Sequence, residues 1–279
     1  MFAIAAPRSP SRKKLLALLL GISLATPPVW AETVTVRVAV VGGLVLCDVW
    51  PRLAKKAEQA LGLRVETVAA SPKEGVVPAF ATGQADLLLI HGSDAANALL
   101  AAGIAAPLRA WALNEHVIVG PPDDPAKVRE APNGAEAVRR IAASGASFVA
   151  FRDPGSHAVV SALWRSAGIR PGQWVIPDTS DTAQGILGLA AEKGAYTVVG
   201  HIPVAFGKMP AAGSEVLLNG DPEMRRVYVV IEPGPRHPAT AEQRAAAREL
   251  ADYLLSPVGQ ADLRTVDREA GGPWIYTLP

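Results

Sequence analysis

The chain has 279 residues, 49% of them hydrophobic, and its 27 basic residues nearly balance its 26 acidic residues. This balance argues against nucleic acid and against an anionic membrane surface as partners, because both attract strongly basic proteins. Cys47 is the single cysteine, so an intrachain disulfide is impossible.

Residues 1–31 have the pattern of a secretory signal peptide. Four basic residues precede an apolar run: Arg8, Arg12, Lys13 and Lys14. The run, residues 15–24, is about half of the ~20 residues that span a bilayer, so a membrane anchor is the weaker interpretation. Val29 and Ala31 are the small residues expected before a cut, which predicts cleavage after Ala31 and a periplasmic protein. Four basic and no acidic residues lie in this segment, so the remainder carries a net charge of about −3.

Strand and helix patterns then alternate along the chain. Apolar runs bounded by turn residues predict strands, and amphipathic stretches predict helices. The first set is strand 33–41, helix 50–61, strand 63–70, helix 74–82, strand 85–92, helix 93–103 with Ser93 or Asp94 as N-cap, and strand 115–121. The second set is helix 135–143, strand 147–151, helix 156–167, strand 174–176, helix 181–192 and strand 195–200, followed by an apolar run at 227–233 and helix 240–256.

This alternation predicts an α/β protein with two parallel-rich sheets flanked by helices. Because the pattern restarts after strand 115–121, we expect two lobes with a hinge between them. The first lobe comprises residues 32–116, the second 117–228, and the chain returns to the first lobe over 229–279. Ligands of such sheets bind beyond the carboxyl ends of the strands.

Small, basic and imidazole-bearing residues collect at these strand ends. The candidate ligand-binding residues are Gly42, Gly43, Leu44, His91, Arg152, Ser156, His157 and His201. Glycine lets backbone donors approach a ligand, helix N-termini favour anions, and a guanidinium matches the geometry of oxyanions. Each feature also has a structural interpretation: the glycines form a turn, Ser156 caps a helix, and Arg152 pairs with Asp153 or with a surface carboxylate. Because these glycines, the arginine, the histidines and the helix N-termini are all expected at one edge of the sheets, we favour an anion-binding site there.

Signals for catalysis are lacking in the sequence. It contains no G-x-S-x-G elbow, no P-loop, no H-E-x-x-H and no C-x-x-C motif. We therefore predict neither an enzyme nor a cofactor.

Five segments, in the same order, make the sequence similar to a known family: ADLLLIHG (85–92), NEHVIVGPPDDPA (114–126), VRRIAASGASFVAFRD (138–153), GSHAVVSALWRSAGI (155–169) and AAEKGAYTV (190–198). It resembles the tungstate-binding proteins of bacterial ABC transporters, which are two-lobed extracytoplasmic solute-binding proteins. The resemblance implies a periplasmic-binding-protein-like (type II) fold that captures an oxyanion between its lobes and delivers it to a membrane permease.

The resemblance also assigns individual residues. Arg152 matches the family's cleft arginine, and His91 matches the histidine that ends the third strand. Ser156 and His157 match the family's Ser/Gly-Thr-His turn. Two turns differ from the family pattern: residues 40–43 replace a Thr/Ser-rich turn, and residues 199–201 replace a Thr-Asp-Arg turn. Fold and transport class are therefore expected, while the identity of the anion stays open.

Three functions remain open at this point. The first is capture of a small oxyanion, tungstate- or molybdate-like or another small anion, by a monomer that serves an ABC permease. The second is a periplasmic sensor of a ligand on the same fold. The third is a zinc or copper site made by His91, His157 and His201 with Cys47 or Asp48, since imidazole and thiolate suit these metals.

Overall fold

A computed structural model describes residues 1–3 and 33–279. Apart from residues 1–3, the predicted signal peptide and its cleavage site lie outside the described residues. Strands occupy β1 Thr35–Val41, β2 Arg64–Ser71, β3 Leu87–His91, β4 Arg109–Gly120, β5 Phe148–Ala150, β6 Val175–Pro177, β7 Thr197–Gly200, β8 Glu215–Leu218, β9 Arg225–Ile231 and β10 Ile275–Tyr276. Helices occupy α1 Gly42–Leu46, α2 Val49–Leu61, α3 Lys73–Ala81, α4 Asp94–Ala101, α5 Gly134–Ser144, α6 Pro154–Ala167, α7 Ile186–Glu192, α8 His201–Ala205, α9 Ala241–Leu255 and α10 Pro257–Glu269.

Local sequence explains where the longer helices begin and end. Helix α2 ends at Gly62, whose φ of 68° lies in the left-handed region that glycine adopts without strain. Helix α9 begins with a capping box, in which Thr240 accepts from the Gln243 amide and Gln243 accepts from the Thr240 amide. Over residues 1–3 and 33–279, no helix is at once long enough and apolar enough to span a bilayer.

Strand β4 organises the sheet. Its first half pairs antiparallel with β9 and β10, and its second half pairs antiparallel with β7 and β8. Beyond β9 the order continues through β3 and β1 to β2, with β1 parallel to both of its neighbours. Strands β5 and β6 pair in parallel, and a bridge between Phe148 and Tyr196 connects them to the chain just before β7.

The predicted α/β fold is confirmed, but the prediction of parallel-rich sheets is wrong for the central strands. β9 runs antiparallel between β3 and β4, because the chain returns along the sheet instead of crossing over a helix. The predicted strand 115–121 is the second half of the twelve-residue β4. Residues 109–114 mix charged, polar and apolar side chains, so neither alternation nor a continuous apolar run marked the first half.

Separate hydrophobic cores form on the two halves of β4. Trp50, Trp111 and Tyr228 belong to a core on the first half, where α2, α9 and α10 pack on the sheet. Phe148 and Tyr196 belong to a core on the second half, where α5 and α6 pack against each other. β4 and β9 are therefore the strands that pass from one core towards the other.

A buried carboxylate sits where β4 changes partners. Glu115 is 2% exposed and accepts hydrogen bonds from His201 Nδ1 at 2.7 Å, the Tyr276 hydroxyl at 2.9 Å and the Gly220 amide at 3.1 Å. Burial alone would raise the pKa of Glu115, but the hydrogen bonds from His201 and Tyr276 outweigh it and lower this pKa below its ordinary value of 4.5. Ionised Glu115 on β4 thus forms hydrogen bonds with His201 of α8 and with Tyr276 of β10.

Replacing Glu115 with Gln is expected to lower the free energy of unfolding by about 2 kcal/mol at neutral pH, because a charge-assisted acceptor of three donors is lost. A lowered folded-state pKa gives stability that is full above 4.5 and is lost as the pH falls through the folded value. The difference between Glu115→Gln and wild type should therefore shrink below pH 4.5 in urea titrations. Glu249→Gln, at an exposed position of α9, is the matched control and should change stability little at any pH. An equal loss at every pH would contradict an ionised Glu115.

Candidate functional site

One face of the sheet carries polar side chains where β3, β9 and β4 lie side by side. His91 lies opposite Tyr228, and Asn114 lies opposite Arg226. Opposed residues of antiparallel strands point to the same face, and Arg226 and Tyr228 are two positions apart, so all four side chains share that face. The rings of His91 and Tyr228 stack with their centroids 4.3 Å apart.

The first turn of α6 covers this face. Asp153 is the N-cap residue, and its side chain accepts from the Ser156 amide at 2.8 Å, while Pro154 occupies the first turn. The Arg226 guanidinium lies directly against Gly155, since a Cβ added to Gly155 would stand 1.8 Å from Nη1 of Arg226. Gly155 is therefore the residue that lets a guanidinium approach the N-terminus of α6.

Ser156 was expected to cap α6, and this is wrong because Asp153 does so. Ser156 instead lies inside the first turn, is 1% exposed, and its hydroxyl has no hydrogen-bond partner among the described residues. His157 follows in the same turn and is exposed.

The predicted glycine turn forms the start of α1. A Cβ added to Gly43 would lie 3.7 Å from the Tyr228 hydroxyl, which is an ordinary contact distance, and one added to Gly42 would lie 3.8 Å from the backbone of Ser71. Neither position needs glycine for space, so local packing does not account for the pair. Leu44 is fully buried in the core, so only its backbone is available to a ligand.

The imidazoles of the site are held neutral. Burial, and after it the positive charge of Arg226, keeps the pKa of His91 well below 6.5. The same two causes lower the pKa of His116 to about 4. Burial also lowers the pKa of Arg226, which Asp153 partly offsets, and it raises the pKa of Tyr228. At neutral pH the charge at this face therefore comes from Arg226, with neutral rings beside it.

Several polar atoms near this face are buried without a partner in the part of the chain that the structure describes. They are His91 Nε2, Ser93 Oγ, Asn114 Oδ1, His116 Nδ1 and Ser156 Oγ. An unsatisfied buried polar group costs about 1–3 kcal/mol, and nearly all such groups in proteins find a partner in protein or water. The concentration of these atoms indicates a place where water or a ligand binds.

Arg152 occupies a different environment. Its side chain is 46% exposed, its Nε lies 3.7 Å from Asp178 Oδ2, and its amide donates to the same oxygen at 3.3 Å. Burial would raise the pKa of Asp178, but hydrogen bonds from Ser180 and Arg152 lower it. Asp153, one of the two expected kinds of structural partner, is wrong, because the carboxylate that pairs with Arg152 is Asp178, directly after β6.

His201 does not join the cluster. It begins α8, and its ring is bound to Glu115 and lies 5.2 Å from Trp274. Glu115 follows Asn114 on β4, so the two side chains point to opposite faces of the sheet. The structure thus brings Gly43, His91 and Ser156 towards Tyr228 and Arg226, whereas His201 lies on the other side.

The transition-metal alternative has no geometric support. Within residues 33–279, no group of three or more His, Cys, Asp or Glu side chains is placed to hold a metal ion. Cys47 is fully buried, and burial raises the pKa of its thiol to about 11, which disfavours the thiolate that a metal would need.

Sequence reasoning missed Arg226, Tyr228 and Asn114. Arg226 precedes the apolar run predicted at 227–233, but β9 begins at Arg225, so Arg226 belongs to the strand. The available signal was the polar pair at alternate positions, Arg226 and Tyr228, on a strand whose other residues after Arg225 are apolar.

Replacing Asp153 with Ala is expected to lower the free energy of unfolding by about 1 kcal/mol, because the N-cap acceptor for the Ser156 amide is lost. Asp153→Asn keeps an acceptor oxygen and should retain most of this stability in urea titrations. Equal losses in the two variants would mean that the Asp153 charge matters more than its capping oxygen.

Comparisons with known proteins agree with the fold and with the predicted resemblance. No family model matches the chain. A protein of Haloferax volcanii, provisionally named as an ABC transporter anion-binding protein, is 29% identical over 218 residues, which cover 73% of this chain but only 60% of that relative. The tungstate-binding protein TupA of Peptoclostridium acidaminophilum is 28% identical over 200 residues, covering 70% of this chain and 68% of the relative.

Solved structures show that the chain is similar to these proteins in fold as well as in sequence. The tungstate ABC transporter structure from Geobacter sulfurreducens matches with a TM-score of 0.64 at 23% identity and covers 83% of this chain and 98% of that one. The tungstate-binding protein TupA of Desulfovibrio alaskensis matches with a TM-score of 0.64 at 24% identity, covering 82% and 93%. The chain therefore resembles tungstate-binding proteins in sequence and has the α/β fold of the type II periplasmic binding proteins.

Proposed function

We propose that this chain is a periplasmic solute-binding protein that captures a small oxyanion and delivers it to the permease of an ABC transporter. The names of its two curated relatives, an anion-binding and a tungstate-binding protein, support this class of function. Export through the predicted signal peptide would bring the protein to the compartment where such a permease loads.

The observation that carries the proposal is the first turn of α6. A fourteen-residue helix begins there, and its N-terminus bears roughly half a positive charge. Asp153 accepts from the Ser156 and His157 amides, so the Gly155 amide is the first-turn donor without a partner among the described residues. The buried, unpartnered Ser156 hydroxyl lies in the same turn, and the unpartnered His91 Nε2 belongs to the sheet face beneath it. Donors without acceptors at a helix N-terminus are what a bound anion needs.

Binding would work by closure rather than by chemistry. In our proposal residues 32–116 and 229–279 form one lobe and residues 117–228 the other, with β4 and β9 as the connections. The first lobe would offer His91 and the amides of Gly42 and Gly43, and the second would offer Ser156, His157 and Arg152. A ligand that contacts both lobes favours the closed form, which lets a permease distinguish loaded from empty protein.

The site suits an anion that is held by neutral donors as well as by charge. His91 stays neutral because of burial and the nearby Arg226, so its ring can donate a hydrogen bond but adds no charge. We infer a monomer that holds one small oxyanion; the anion itself is left to experiment.

Thermal unfolding in the presence of tungstate, molybdate, sulfate, phosphate and small carboxylates tests the function. A ligand at 100 times its dissociation constant should add about 2.7 kcal/mol to the free energy of unfolding, which is a readily visible shift. If none of these anions raises the unfolding temperature, the proposal is lost.

Ser156→Ala should weaken binding of the stabilising anion by about tenfold, because one hydrogen bond to a charged group is lost. The unfolding of the empty variant should stay near that of wild type, since the hydroxyl has no partner to lose within the described residues. Ser166→Ala, at an exposed position of the same helix, is the matched control and should bind normally. A loss of stability without a loss of affinity would assign Ser156 a structural role only.

A further inference from the structure

We propose that Arg226 is the specificity-determining residue that supplies the positive charge to the bound oxyanion, holding it against the N-terminus of α6 while Arg152 stays at the rim. This inference rests on the function proposed above and names the charge on which that function depends.

Packing places Arg226 at the centre of the polar cluster. It lies on β9 between β3 and β4, opposite Asn114 and two positions from Tyr228. Its guanidinium covers Gly155, where any larger residue would overlap Nη1. Few arrangements bring a guanidinium so close to the backbone of a helix start, and this one depends on a glycine.

The electrostatics of this contact are unfavourable for the empty protein. The N-terminus of α6 carries partial positive charge, so a cation beside it is repelled. The negative charge of Asp153 raises the pKa of Arg226, but the Asp153 side chain already accepts a hydrogen bond from the Ser156 amide. Among residues 1–3 and 33–279, no carboxylate lies within 4.0 Å of the Arg226 guanidinium nitrogens, and no hydrogen bond from that side chain is formed. An anion that contacts both the guanidinium and the helix N-terminus would turn the repulsion into two attractions.

Arg152 is less suited to this role. It already has a carboxylate partner in Asp178, and close to half of its side chain is exposed. A charge that is solvated and paired gives little affinity to a ligand, whereas the half-buried Arg226 has no carboxylate partner among the described residues to compete with an anion.

The unpartnered atoms around Arg226 define the ligand class. A guanidinium donates two parallel hydrogen bonds to two oxygens of one anion. The buried Ser156 hydroxyl, 1% exposed, and the Gly155 amide can take a third oxygen, whereas the Ser156 and His157 amides already donate to Asp153. The chemistry therefore fits a compact oxyanion with at least three oxygens rather than a halide.

The test uses the chain without its predicted signal peptide and tungstate, molybdate and sulfate as probes in calorimetric titrations. Arg226→Gln should weaken the tightest of the three by about 100-fold, because both hydrogen bonds and the charge are lost. Arg226→Lys keeps the charge but not the paired donors and should lose about tenfold. Arg225→Gln, the neighbouring arginine whose guanidinium lies over the Tyr276 ring on the other face, is the matched control and should bind as wild type does.

Two further measurements separate a ligand role from a structural one. Without ligand, Arg226→Gln should unfold at the same or a higher urea concentration than wild type, because an unpaired cation is removed from a helix N-terminus. Gly155→Ala should weaken binding although Arg226 itself is unchanged, since the added Cβ displaces its guanidinium.

The outcomes distinguish the two proposals. If wild type binds none of the three probes, the proposed function fails for them and Arg226 has no anion to hold. If wild type binds a probe and Arg226→Gln binds it within twofold, the function stands and the assignment of Arg226 is overturned. A larger loss in Arg152→Gln than in Arg226→Gln would likewise overturn the assignment, in favour of Arg152.

Discussion

The site depends on one constraint, the antiparallel register of β9 between β3 and β4. Because side chains alternate along a strand, Arg226 and Tyr228 face the side that carries His91, whereas Arg225 faces the side that carries Tyr276. A slip of one residue would exchange these two sets. The buried apolar end of β9 opposes such a slip, so the hydrophobic core also decides which arginine meets the polar cluster.

The polar groups at this face repel one another or lack partners more often than they form hydrogen bonds with one another. A half-buried guanidinium lies at a helix N-terminus, two imidazoles are kept neutral, and the Ser156 hydroxyl lacks a partner among the described residues. Protein interiors usually pair such groups, and departures from that rule concentrate at functional sites. On the opposite face Glu115 shows the usual behaviour, since three donors surround it. The two faces of the same strands thus separate the candidate ligand site from a structural network.

Some of the residues predicted from strand ends lie together in the structure, and others lie apart from them. Gly43, His91 and Ser156 follow apolar runs, and the structure brings them towards one face. His201 also follows an apolar run, yet the acceptor on Glu115 holds its ring on the other face. Arg226 was missed because it lies inside a strand, where adjacent arginines do not reveal which one turns inward.

The sequence by itself determined the α/β class, the order of the elements and the residues at their ends, because periodicity, glycine and caps act over a few neighbouring positions. Only the tertiary structure decided the antiparallel pairing of β9 and β4, which of two adjacent arginines faces the polar cluster, and the neutral state of His91 and His116. These properties depend on contacts between distant parts of the chain, such as the hydrogen bond between Glu115 and Tyr276 across 161 residues. The burial and the charge of a site depend on many such contacts together, and no local sequence pattern predicts them.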